Sequence, residues 1–250
     1  MRLTTLEQEI ADYFWQNVGE PPKYPCNLER CVSLALPLVI IKLPHLKIYR
    51  IESWLQSHGI PMSLDRRSRA VRGCLVAHGG HGLVFIDGTD SENEQRFTLG
   101  HEVAHFLIDY WYPRQKAIEQ LGQGIIPVLD GLQQPNIEER LRALISHVPL
   151  GRHVDILSRH EGDGAMSLET LEIESKADRL ALALLAPPTK VLSDVDLSAP
   201  DFETRQEHLI NALCDHFGLP AMVAEPYAGL LLSSIGKGPD SWLKKFRRNS

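Results

Sequence analysis

Cysteine is scarce in this sequence and poorly placed for structural work. Cys26, Cys31, Cys74 and Cys214 form no Cys-x-x-Cys pair and no zinc-finger spacing, which argues against a structural zinc ribbon. They read as reduced, mostly buried thiols of a reducing compartment. Excess positive charge is missing as well. Lys and Arg number 26 against 32 Asp and Glu, a net charge of −6, so the whole molecule has no electrostatic reason to seek DNA or an acidic membrane. Long apolar runs are absent. The longest, Val32 to Leu43, is interrupted by Pro37 and Lys42 and is too short to cross a bilayer. Met1 to Glu9 lacks the basic-then-apolar order of a signal peptide, so the expected location is cytoplasmic. No internal repeat or low-complexity tract occurs.

What is present is the balance of a globular protein, 43% hydrophobic and 23% charged over 250 residues. That length fits one large domain or one domain with a helical appendage. Leu6, Ile10, Tyr13 and Phe14 have helical spacing, and Gly19, Pro21, Pro22 and Pro25 end that helix. Further helices are expected over roughly Leu28 to Ile41 and Leu46 to Ser57. Gly73–Ala77 and Leu83–Asp87 then read as a β-hairpin around a glycine-rich turn. His78 and His81 belong to that turn, because a hairpin tip offers too few ligands and too little rigidity for a metal. A helix from about Ser91 to Asp109 follows, with Phe97, His101, Ala104, His105 and Ile108 as its inward stripe. Gly122 to Pro135 reads as a long loop, Asn136 to about Ser146 as a helix, and Pro149 to Gly164 as irregular. Ser167 opens a helix stopped at Ala186 by Pro187-Pro188, and Phe202 to Phe217 and Ala221 to Ser234 are helical before a basic tail.

The chemistry concentrates at His101-Glu102-Val103-Ala104-His105. Residues four apart on a helix share a face, so the two imidazoles can grip one ion. Glu102 is free to address a water molecule, the logic of His-Glu-x-x-His zinc peptidases. Burying two histidines and a glutamate on a packed helix is costly unless something satisfies them. A third ligand is needed. On the helix from Ser167, Glu174 and Asp178 share an otherwise apolar face with Ala181 and Leu185, whereas Glu172, Lys176 and Arg179 form a charge-balanced outer face. Glu174 is therefore the expected third ligand, and Asp178 is the expected acceptor for the free ring N–H of His101. A metzincin continuation is excluded, because its glycine and third-ligand positions are Ile108 and Trp111.

The run Arg96-Phe97-Thr98-Leu99-Gly100-His101-Glu102-Val103-Ala104-His105, with Glu174-x-x-Ala177-Asp178 and Leu184-Leu185-Ala186-Pro187, resembles the ImmA/IrrE metallopeptidases. The resemblance covers Arg72 to about Leu192. It implies a thermolysin-like zinc core with His101, His105 and Glu174 as ligands and Glu102 as catalytic acid/base. It also implies a protein substrate, a helix-turn-helix repressor, whose cleavage switches on stress-response or mobile-element genes. The separation between His105 and Glu174 is unusually long, so Tyr110 to Met166 reads as an insertion and a place for a lid.

The expected architecture is α+β: a small antiparallel sheet beside the metal helix, the rest largely helical. It divides into an N-terminal helical segment (1–65), a peptidase core (66–192, inserted at about 110–166) and a C-terminal helical segment with a basic tail (193–250). His153, His160, Tyr110, Tyr112 and Tyr227 are candidates for stabilising the oxyanion, and sequence does not choose among them. Two basic stretches, Arg66-Arg67-x-Arg69-x-x-Arg72 and Lys244-Lys245-x-Arg247-Arg248, read as a solvated linker and a tail, with no direct nucleic-acid binding expected. Two rivals stand beside the peptidase: a module that holds zinc and recognises a repressor or toxin without cutting it, and a DNA-binding regulator. Glu102 speaks against the first, and the negative charge and lack of a clear recognition helix against the second.

Overall fold

A computed structural model describes residues 3–64, 69–134, 136, 150–159 and 168–238, of which 158 and 168–173 are described by backbone alone. Helix α1 (Thr5–Val18) opens on a capping box: Thr4 accepts the Glu7 N–H, and the Glu7 carboxylate accepts the Thr4 N–H. It closes on Gly19 in the left-handed region, φ 76°. Helix α2 (Leu28–Ala35), capped by Asn27, stops well short of the expected Ile41. Pro37 cannot continue a helix, and Val39-Ile40-Ile41 is the β-branched run of a strand, so Leu38–Leu43 forms β1 instead. Helix α3 spans Ile48–Ser57.

The hairpin is present as β2 (Val71–His78) and β3 (His81–Asp87), paired antiparallel. Its turn is Gly79-Gly80 with φ 59° and 77°, the positive pair that a two-residue connection compatible with strand twist demands. β1 lies parallel against β3, so the sheet is mixed, correcting the all-antiparallel expectation. A fourth strand, β4 (His153–Ser158), runs antiparallel along β2 and gives the order β1-β3-β2-β4. β4 falls within the stretch read as irregular and inserted. The N-terminal 65 residues thus supply one edge of the sheet and the supposed insertion supplies the other.

Helix α4 (Glu92–His105) begins on a second capping box, Ser91 with Glu94, and runs into a π-helical turn over Phe106–Trp111 and then α5 (Tyr112–Leu121). The expected long loop contains α6 (Ile126–Leu129). Helix α7 (Leu168–Leu185) lies along α4, and α8 (Pro188–Asp194), α9 (Phe202–Asp215) and α10 (Ala221–Ser234) follow. Alternation along the strands sorts two cores. Leu75, Ala77, Val84 and Ile86 join the large core with α1, α2, α4, α7, α9 and α10. Cys74, Val76 and Phe85 face the other way, onto Ile48, Ile51 and Leu55 of α3. The molecule is α+β, with the sheet between α3 and α4. The four thiols are free, and all but Cys214 are buried. No helix among the described residues is long and apolar enough to cross a membrane. Apart from Asn136 itself, the helix expected from Asn136 to Ser146 lies outside the described residues, as does the basic tail.

Candidate metal centre

Wedged between sheet and α7, α4 is buried all round from Thr98 to His105, not along one stripe as its periodicity suggests. Phe97 and Ile108, expected to point inward, are only half-buried. His101 and His105 stand one turn apart with their Nε2 atoms 3.1 Å from each other. His101 Nδ1 donates to Asp178 Oδ1 over 2.9 Å, as the helix-face reading expects. His105 Nδ1 donates to Asp109 Oδ2 over 2.8 Å, a contact the sequence reading missed. A ring nitrogen that faces a carboxylate carries the proton, which leaves a lone pair on each Nε2. Two lone pairs aimed at one another need a positive charge between them.

Acids converge on the same point. Glu174 Oε2, from α7, lies 3.2 Å from His101 Nε2 and 3.8 Å from His105 Nε2. Asp155 Oδ2, from β4, lies 3.7 Å from His105 Nε2. One donor atom from each of His101, His105, Asp155 and Glu174 falls within 4.8 Å of all the others, a group that could hold a metal ion. Asp155 is missing from the ligand set that the sequence suggests, because its stretch reads as an insertion and not as a strand of the sheet. The alternation His153-Val154-Asp155-Ile156 is the signal that was available. Asp109 had one too: it follows His105 at helical spacing.

Glu102 completes the site. It is fully buried, and neither of its oxygens has a hydrogen-bond partner among the described residues. Burial, reinforced by Asp155, pushes its carboxyl up to about 8. The space it occupies exists because residue 73 is glycine; a Cβ there would overlap Glu102 Oε1. Burial works against charging the histidines, but Asp178 and Glu174 hold His101 up at about 9, and Asp109 and Glu174 hold His105 up at about 11. The two imidazoles beside it hold the Glu174 carboxyl down at about 2. The surroundings are built to hold positive charge at the Nε2 atoms.

The oxyanion candidates separate by position. Tyr227 donates its hydroxyl to Ala186 O in the core at 2.7 Å, and Tyr112 reaches Glu9 at 3.4 Å, each engaged away from the donors. Buried Tyr110 accepts the Gly80 N–H. His153, two residues before Asp155 on β4, has a buried Nε2 without a hydrogen-bond partner among the described residues, and burial lowers its pKa against the pull of Asp109 and Asp155. His160 lies outside the described residues, as do Arg66 and Arg67. A scan against protein-family models finds no match to this chain, and a search of curated proteins finds none either.

Proposed function

We propose that this chain is a zinc-dependent endopeptidase, with His101, His105 and Glu174 as metal ligands and Glu102 as the proton-transferring acid/base. One observation carries the reading: a carboxyl group wholly buried beside the donor cluster, with no hydrogen-bond partner among the described residues. A buried carboxylate without a partner costs several kcal/mol or is forced to hold its proton, so a merely structural Glu102 would be a liability. A group with its pKa lifted toward neutrality is instead suited to taking a proton and returning it.

When bound, zinc supplies Lewis acidity toward a peptide carbonyl and makes water easier to deprotonate. The protein's own residues do the rest. Asp178 and Asp109 fix the tautomers of His101 and His105 so that both Nε2 atoms present lone pairs. Glu102 accepts the proton of the attacking water and delivers it to the leaving amine. The thermolysin-like core, the protein substrate and its identity as a helix-turn-helix repressor, with the resulting control of transcription, a stress response or a mobile element, are supported by the sequence resemblance to ImmA/IrrE peptidases. A second reading, a metal-holding module that does not cut, is favoured by Asp155, because a fourth protein donor is the mark of a closed, structural site.

Incubation with purified helix-turn-helix repressors, with and without a chelator, tests the proposal. Wild-type protein is expected to cut one of them, and Glu102→Gln to retain its zinc but lose about 10²–10⁴-fold in rate. Cleavage by Glu102→Gln at the wild-type rate would end the mechanism.

A further inference from the structure

The peptidase reading uses three of the four donors and leaves Asp155 without a role. We propose that Asp155 is the fourth protein ligand of the same ion, so that in the resting protein its coordination is closed by His101, His105, Glu174 and Asp155. This inference rests on the metal-site reading above. Toward His105 Nε2, Asp155 stands as near as Glu174, 3.7 against 3.8 Å, although only Glu174 also lies 3.2 Å from His101 Nε2. Donors bonded to a tetrahedral ion at about 2.0–2.2 Å stand roughly 3.3–3.6 Å apart. Four of the six separations, 3.1, 3.2, 3.7 and 3.8 Å, bracket that range, and the two from Asp155 to His101 and Glu174 lie within 4.8 Å.

Strand register explains why Asp155 arrives there. It pairs with Leu75 of β2, whose side chain belongs to the core on the α4 side of the sheet, so its own side chain shares that face. Its Oδ2 is buried with no hydrogen-bond partner among the described residues, and a desolvated carboxylate oxygen in that position calls for a cation. Charge agrees: two neutral imidazoles and two carboxylates balance a divalent ion.

The consequence is latency. A catalytic zinc keeps a coordination position open for water, and here Asp155 takes it. The two histidines are pinned through their Nδ1 atoms by Asp178 and Asp109, whereas no hydrogen bond among the described residues holds the Asp155 Oδ2 atom. It is the ligand built to leave, and its departure would be the step that admits water and substrate.

Cobalt(II) loaded into the full chain reads the ligand set through its visible absorption, and azide reports an open position. Wild type is expected to bind one Co²⁺ with a four-coordinate spectrum that azide does not change. Asp155→Ala and the isosteric Asp155→Asn should shift the spectrum on adding azide and lose at least about tenfold in Co²⁺ affinity. If wild type binds Co²⁺ but responds to azide as the variants do, or all three bind it equally tightly, Asp155 is not a ligand and the three-donor site survives. If wild type binds no Co²⁺, both readings fall. The wild-type azide titration decides the matter even if a variant misfolds.

Discussion

At the scale of single residues, the site is a set of polar groups that make sense only together. His101 and His105 were legible because a helix places residues four apart on one face, and Glu174 and Asp178 because they interrupt an apolar face. Asp155 and Asp109 were not. The first depends on a strand pairing that no local pattern announces as close to a helix some fifty residues earlier. The second lies in the π-helical turn at the expected C-terminal end of that helix, off the inward stripe that the periodicity picks out. The two Nδ1 contacts carry a prediction. Asp178→Asn and Asp109→Asn each keep the shape but weaken the hold on ring orientation and tautomer, and each should lower metal affinity by about 10- to 100-fold. Competition against a colorimetric chelator measures this. Unchanged affinity in both would show that these carboxylates do not support the histidines.

At the scale of elements, close approach of α4 to its neighbours makes the site possible. Gly100 is where α4 meets α7: an added Cβ would stand 2.9 Å from Leu185 Cδ1. Gly100→Ala should therefore make Leu185 give way in the packed seam between the two helices that carry the donors, a cost of about 1–3 kcal/mol offset by about 1 kcal/mol of helix propensity in a urea titration, with metal binding weakened as the seam shifts. A variant as stable and as tightly metal-binding as wild type would show that the helices have slack there. The helices α1, α7, α9 and α10 and the β2–β3 hairpin were readable because periodicity, caps and turn glycines agree locally. β1 and β4 were not, for different reasons. β1 continues the apolar run of α2, and only Pro37 separates helix from strand. β4 is short and carries polar inward residues, His153 and Asp155, which mask the usual strand signature.

At the scale of the whole molecule, the ion would tie together parts distant in sequence: α4, α7 and the edge strand β4. Arg179 adds a protein-only link of the same kind by gripping Glu7, so α7 is fastened to α1 as well. Proton linkage gives a molecular prediction. Without metal, His101 and His105 have folded-state values of about 9 and about 11, above the ordinary 6.5, and Glu102 about 8, above 4.5. Each raised value gives stability that is fully present below the unfolded pKa and lost as pH rises through the folded one. Chelated protein should therefore lose thermal stability from about pH 4.5, where Glu102 begins, to about pH 11, where His105 ends, with all three groups contributing between about 6.5 and 8. Metal-loaded protein should lose less, because the ion replaces the protons. The gap in Tm between the two forms is expected to widen across that range, and a gap that stays constant or narrows would contradict it.

The claim on which the rest depends is that two imidazoles from α4 and a carboxylate from α7 share one ion. Elemental analysis after zinc loading and exhaustive dialysis tests it directly, on wild type, Glu102→Gln and Glu174→Ala. The account predicts about one zinc per chain for the first two and clearly less for the third, since Glu174 binds the ion and Glu102 does not. A wild type without zinc, or a Glu174→Ala protein holding as much as wild type, would contradict it.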